Sequence, residues 1–211
     1  MIFDATLYAN KPATVMQKIS YINGNEAMRR AFYGVSNAPV CLDTEPFSNA
    51  QRLSILTDFR ALHPGIRVGM YGTLPQGNYW DAIAERKSSG FQSWNAMNDT
   101  LIELSHSVDI VYPSLYTFYD DRVGWLKYAM RNINQAWKYN KTVYPFLWPQ
   151  YHDSSVKALQ YIPADYFKMQ IETCLDLCGG VVIWGGWDFA NSRAAQWDDS
   201  APWYDVVRDL T

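Results

Sequence analysis

Asp43 and Glu45 stand two residues apart just after a short apolar run, Val40 to Leu42, and are followed by Pro46 and Phe47. If the strand continues through them, Cys41, Asp43 and Glu45 share one face while Leu42 and Thr44 take the other. Two carboxyls side by side in apolar, aromatic surroundings cannot both ionise cheaply, because burial and like charge each favour a proton on one of them. One acid then keeps its proton near neutral pH while its partner stays anionic. That division is what protonation of a glycosidic leaving oxygen requires. The plainer reading is that the acids cap a following helix, but Ser48 and Asn49 already supply helix-start chemistry there.

Other polar and aromatic residues fall in the same relation to other apolar runs. Tyr71 ends one run and Tyr112 a second, which Tyr116, Tyr119 and Asp120 follow. Trp148 and Tyr151 follow a third, and Trp184, Trp187 and Asp188 a fourth. The runs that read as strands are Ile2 to Tyr8, Val40 to Leu42, Ile66 to Tyr71, Val108 to Tyr112, Thr142 to Leu147 and Val181 to Trp184, with a weaker one near Gln17 to Ile22. Helical spacing lies between them, over Asn25 to Tyr33, Asn49 to Leu62, Phe91 to Ser105, Arg122 to Tyr139 and Ala164 to Cys178. In the fourth helix Val123, Leu126, Met130, Ile133 and Trp137 form the expected buried stripe.

Strand and helix alternate as in βαβ units around a parallel sheet. In a (β/α) barrel the C-terminal strand ends converge on one mouth, so the acids and aromatics read as one site. The chain has 211 residues, fewer than the roughly 250 of a usual barrel. The expectation is a single α/β domain across 1–211, a compact (β/α) TIM-like barrel that is seven-stranded or incomplete.

Composition narrows the chemistry. The net charge of -3 and the absence of a basic cluster argue against nucleic acid. The longest apolar stretch, around Gly179 to Trp187, is far below the roughly 18 residues a membrane helix needs. No glycine-rich phosphate turn follows any strand, and His63, His106 and His152 show no metal-ligand spacing, so neither cofactor nor metal is assigned. Cys41, Cys174 and Cys178 make no disulfide framework, and the first residues show no secretory signal, which leaves the compartment open. With 9 Trp, 15 Tyr and 9 Phe, the chain is rich in flat side chains with polar tips, which suit a sugar-binding surface as well as a core. His152, Asp153 and Ser154 have the residue types of a hydrolytic triad, but on one strand adjacent side chains point apart and no nucleophile elbow is present.

Four segments in order, D-T-E, V-Y-P-S-L-Y, Y-P-F-L-W-P-Q-Y-H-D and G-G-V-V-I-W-G-G-W-D, resemble the hyaluronidase family of glycoside hydrolases. The resemblance runs from about Val40 to Asn191. It implies that Glu45 donates the proton and Asp43 positions the substrate, and that Tyr116 and Tyr151 are catalytic tyrosines. Trp184 is implied as a wall of the site. It also implies substrate assistance, in which the 2-acetamido oxygen of the sugar attacks its own anomeric carbon. An acid pair at this spacing lies on one side of the bond, unlike the flanking carboxyls of ordinary retaining or inverting enzymes. Tyr71, Tyr112, Trp148, Trp187 and Asp188 complete the expected binding surface.

This chain departs from the family in being compact and slightly acidic, which gives no general attraction to polyanionic hyaluronan. An N-acetylhexosamine-containing polysaccharide, including chitin-like chains or wall glycan, is the expected partner class. A non-catalytic carbohydrate-binding protein and a structural barrel of a larger assembly are the alternatives. For a substrate without an acetamido group, Asp188, Asp120 or Asp153 would have to serve as nucleophile.

Overall fold

The computed structural model describes residues 39–188, 193–195, 198 and 200–210. The expected strands Ile2 to Tyr8 and Gln17 to Ile22, and the helix Asn25 to Tyr33, lie outside the described residues. In chain order the elements are β1 (Val40–Leu42), α1 (Asn49–Leu62), β2 (Val68–Tyr71), α2 (Tyr79–Ile83), α3 (Ser89–Asp99), α4 (Ile102–Ser105), β3 (Ile110–Tyr112), α5 (Arg122–Lys138), β4 (Thr142–Val143), β5 (Phe146–Leu147), α6 (Ala164–Cys178), β6 (Val182–Ile183), β7 (Trp187–Asp188), β8 (Arg193–Ala194) and α7 (Pro202–Leu210). No helix among the described residues is long and apolar enough to cross a membrane.

β1, β2, β3 and β4 pair in parallel and in sequence order, and β5 pairs in parallel with β6. The expected single strand Thr142 to Leu147 is interrupted at Pro145, which has no N–H to donate. The ladder nevertheless runs on across the break. Tyr144 N–H donates to Val111 O at 3.0 Å and Phe146 N–H to Pro113 O at 2.8 Å, while Trp184 N–H donates to Leu147 O at 2.8 Å. The parallel arc thus extends from β1 to β6, and among the described residues it does not close into a barrel. β7 and β8 form a separate antiparallel pair.

Period-two alternation divides the arc into two faces. Val40, Leu42, Val68, Met70, Val111 and Val143 pack outward under α1 and its neighbours. Cys41, Tyr71, Ile110, Tyr112, Tyr116, Phe146 and Trp148 form an inner cluster on the other face. Gly69 lies on that inner face where any Cβ would meet the Tyr112 ring at 2.7 Å and the Ile110 carbonyl at 2.1 Å, so only glycine lets the large tyrosine lie across β2.

The helices are set by local chemistry. Ser48 caps α1 in a reciprocal capping box with Gln51, and Gly179, at φ +69, ends α6 in the left-handed region. The expected helix Phe91 to Ser105 is two helices, α3 and α4, parted near Thr100, whose hydroxyl turns back onto Met97 O. α2 and α7 were not expected.

The stripe read along α5 holds at Ile133, which is buried, and in part at Leu126, which is half-buried, and is corrected at its other three positions. Val123 is 80% exposed, Met130 47% and Trp137 48%, while the buried face is Trp125, Tyr128, Ala129, Asn132, Ile133 and Ala136. The apolar pattern misleads because the buried face contains two polar members, Asn132 and Gln135. Asn132 is satisfied there by donating to Tyr128 O at 2.9 Å.

Candidate functional site

β1 ends at Leu42, so strand alternation does not orient the acids. A turn does. Phe47 N–H donates to Thr44 O at 3.0 Å, and Glu45 N–H reaches Asp43 Oδ1 at 3.5 Å. Thr44 is buried, Asp43 half-buried and Glu45 exposed. The buried Arg52 of α1 grips this turn from below. Its Nε donates to Thr44 O at 3.2 Å, Nη2 to Glu45 O at 2.9 Å and Nη1 to Asn49 Oδ1 at 2.9 Å. The result places Glu45 Oε1 above Gly72, 3.5 Å from where that residue's Cβ would be. Gly72 sits at φ +59 directly after β2, a conformation glycine adopts without steric cost.

Beside Glu45 stand two tyrosines. The Tyr71 and Ser114 hydroxyls share a hydrogen bond of 2.9 Å, and the Tyr71 and Tyr116 rings lie 5.8 Å apart between centroids. Burial pushes both phenols well above their usual pKa. The Glu45 carboxylate adds to the rise in each, and Tyr116 is raised further by its hydrogen bond to Tyr71. Both hydroxyls therefore stay protonated. Trp148 packs edge-on to Tyr116 at 5.4 Å, its Nε1–H held by Gln150 Oε1 at 3.0 Å.

On one side of Glu45 opens a cavity of about 460 Å³, lined by Glu45, Gly72, Thr73, Gln76, Asn78 and Asp81 among others. Its loop is stiff. Gln76 N–H donates to Asn98 Oδ1 at 2.9 Å, and the Trp94 indole N–H donates to Gln76 O at 2.9 Å. A second cavity, about 410 Å³, opens on the inner face between Cys41, Tyr112, Tyr144, Phe146 and Trp184. Burial raises the Cys41 thiol far above its usual pKa, so this wall is apolar and unreactive.

The fold thus gathers Asp43, Glu45, Tyr71, Tyr116 and Trp148 at the C-terminal ends of the strands. Tyr112 lies deeper on the inner face, 2% exposed, and Trp184 is half-buried against the same cluster. Tyr151 faces the opposite way, into the core beneath α5 and α6, with its hydroxyl donating to Asp120 Oδ1 at 2.6 Å. Asp120 also pairs with Lys157, and these two contacts hold its carboxyl below the usual range. Trp187 and Asp188 form β7, and their side chains are not among those described.

Two contributors escaped the sequence reading. Ser114 and Arg52 act through hydrogen bonds between distant elements, which no local pattern reveals. His152 lies beyond β5 against Phe118, Tyr116 and Trp148, with ring centroids 4.7, 6.2 and 6.0 Å away. The expectation that His152, Asp153 and Ser154 point apart assumed a strand. They lie in a turn, where His152 Nδ1 meets Asp153 Oδ1 at 2.9 Å and Ser154 Oγ at 2.8 Å. Among the described residues no three His, Cys, Asp or Glu side chains gather as metal ligands.

Neither a protein-family model nor a curated protein sequence matches the chain. Solved structures do. The fold is similar to that of bee venom hyaluronidase. Against its complex with a hyaluronic acid tetramer the TM-score is 0.65 at 12% identity, covering 95% of this chain and 72% of that one. Against a monoclinic crystal form of the same enzyme the TM-score is 0.58 at 14% identity, covering 83% and 70%. At such identities the likeness is one of fold, and the chemistry must be argued from the side chains.

Proposed function

We propose that this protein is a glycoside hydrolase that cleaves an N-acetylhexosamine-containing polysaccharide with retention and substrate assistance. The observation that carries the reading is the position of Glu45, between a pair of protonated tyrosines and an open polar cavity at the strand ends. The arc of parallel strands is read as part of a (β/α) barrel, seven-stranded or incomplete, whose mouth is this site. The hyaluronidase-like fold and the oligosaccharide in the bee venom complex support the substrate class.

In this reading Glu45 gives its proton to the glycosidic oxygen as the bond to the anomeric carbon breaks. The sugar's acetamido oxygen attacks that carbon from the other face and forms a cyclic intermediate, while the Asp43 carboxylate accepts the acetamido N–H and balances the positive charge. Water then adds, its proton passing to the Glu45 carboxylate, and the acetamido group is restored. Tyr71 and Tyr116 donate hydrogen bonds to the oxygen on which charge gathers. Trp148 and Trp184 supply apolar walls. The cavity beyond Glu45 receives the departing sugar. Tyr151, tied to Asp120, steadies the segment after β5.

The test is Glu45→Gln, assayed on chitin oligomers, hyaluronan, chondroitin and peptidoglycan with mass spectrometry of the products. Wild-type protein releases reducing ends from at least one N-acetylated polymer and none from its N-deacetylated form. The variant keeps fold and glycan binding but loses turnover. Binding without release of reducing ends by the wild type, at any pH, would instead establish a carbohydrate-binding protein.

A further inference from the structure

Trp80 is 61% exposed, which leaves a large apolar face that no other described residue covers. It does not hang loose. Its indole N–H donates to the Tyr119 hydroxyl at 3.0 Å, and the two rings stand 4.9 Å apart at an interplanar angle of 50°. Buried Tyr79 supports both, edge-on to Trp80 at 5.3 Å and 4.8 Å from Tyr119. The Tyr79 hydroxyl in turn reaches Asp121 Oδ2 at 3.5 Å, and burial, together with that carboxylate, pushes its pKa up to about 12. Three aromatic rings and two polar contacts thus fix an exposed flat surface whose orientation is set before any ligand arrives.

The platform belongs to the two segments, after β2 and after β3, that build the site. Trp80 lies between Asn78 and Asp81, both of which line the cavity at Glu45. Tyr119 follows Tyr116 in the segment after β3. We propose that Trp80 and Tyr119 form a stacking platform for a pyranose ring of the polysaccharide, placed farther along the chain than the cavity beside the acid. The C–H face of a sugar ring offers the apolar, weakly positive surface that an indole face attracts, and the ring hydroxyls remain in water. This inference rests on the hydrolase reading for the direction of the chain but not for the contact itself.

The test is calorimetric binding of chitin and hyaluronan oligosaccharides, dimer to hexamer, to Glu45→Gln protein, which holds them uncleaved. Adding Trp80→Ala should weaken hexamer binding about tenfold, the upper end for one aromatic contact, with a loss that shrinks as the chain shortens. Trp80→Phe should recover part of it, and Tyr119→Phe, which keeps the ring but releases the indole N–H, should cost about twofold to threefold. Trp137→Ala is the control, since Trp137 is 48% exposed near the C-terminal end of α5, away from these segments. An equal loss for dimer and hexamer, no loss for either, or no hexamer binding at millimolar concentration overturns the platform. So does a change in sedimentation on Trp80→Ala, which would mean that a second copy covers this face. Length-dependent binding through Trp80 in a wild-type protein that never releases reducing ends would leave the platform standing while the hydrolase reading falls. Hydrolysis with hexamer binding indifferent to Trp80 would do the reverse.

Discussion

The hydroxyls of Tyr71 and Ser114 lie 2.9 Å apart and tie the end of β2 to the segment leaving β3. Gly72 follows immediately, with Glu45 Oε1 above it, so one hydrogen bond braces the floor on which the acid stands. Tyr128, from the buried face of α5, braces the same point by donating to Ser114 O at 3.0 Å. The alignment of the acid with its tyrosines is therefore a property of three elements held together.

Tyr71→Phe separates the floor from its chemistry. The ring keeps its packing against Tyr116 and Phe146, while the hydroxyl shared with Ser114 and Tyr116 is lost. Stability should fall by about 1 kcal/mol, the net worth of one hydrogen bond. Turnover should fall by about 10² to 10³, the cost of removing one donor to developing charge. Denaturant melts and kcat on an N-acetylated oligosaccharide measure the two. Equal small losses in both would reduce Tyr71 to a packing residue.

Arg52→Lys tests the turn that carries the acids. A guanidinium spans two carbonyls and an amide oxygen at once, which an ammonium on a flexible stem cannot do. The expected cost is about 1.5–3 kcal/mol, with kcat falling more than KM rises, because Glu45 loses its fixed position. Methyl-ester labelling or NMR of the turn would show it loosened. Unchanged kcat in a destabilised variant would restrict Arg52 to holding the fold.

The parallel strands β1 to β6 were legible because their buried runs are nearly continuous, Val40–Leu42 beginning and ending where its apolar letters do, whereas β7 and β8 were not expected. The helices with clear caps were equally plain, α1 by Ser48 and α6 by Gly179. What could not be read was anything decided across the sheet. Cys41, Asp43 and Glu45 alternate in sequence, yet the strand stops before the acids and an arginine from α1 sets their direction. Tyr71 ends β2 and Tyr151 lies four residues beyond β5, so the same side chain near comparable runs points toward Glu45 in one case and to Asp120 in the other. The buried row of α5 was read at Ile133 but otherwise hidden, because Asn132 and Gln135 sit within it and Val123 and Trp137 lie outside.

Asp81→Asn tests the sign of charge on the leaving side. Glu45, Arg52 and Asp81 all line the cavity. With Glu45 protonated, the Asp81 carboxylate offsets the Arg52 guanidinium there, so it weakens the pull of that guanidinium on a departing uronate carboxylate. Removing the Asp81 charge should raise hyaluronan cleavage relative to chitin by up to about fivefold at low salt, an effect that 1 M salt erases. Asn can still accept from Asn78, which holds Asp81 Oδ2 at 2.7 Å, so α2 should persist. A ratio unmoved by the substitution would mean that the departing sugar lies elsewhere.

Acid should weaken this protein in a window set by two histidines. Burial lowers the pKa of His63, which stacks on Phe59 at 4.8 Å. Burial also lowers that of His152, and Asp153 only partly opposes the shift. A histidine with a depressed folded-state pKa binds its proton more readily when unfolded, so unfolding takes up protons as pH falls below about 6.5. Stability is full above that value and is lost progressively on acidification until the folded-state pKa is passed. The shifted carboxylates Asp120 and Asp165, held low by Lys157 and Arg122 respectively, act in a separate window below about pH 4. Urea melts at pH 7.5, 6 and 5 should therefore show a falling midpoint, flattened in a His63→Phe, His152→Gln double variant. A midpoint that is level or rises toward pH 5 would contradict the burial of both rings.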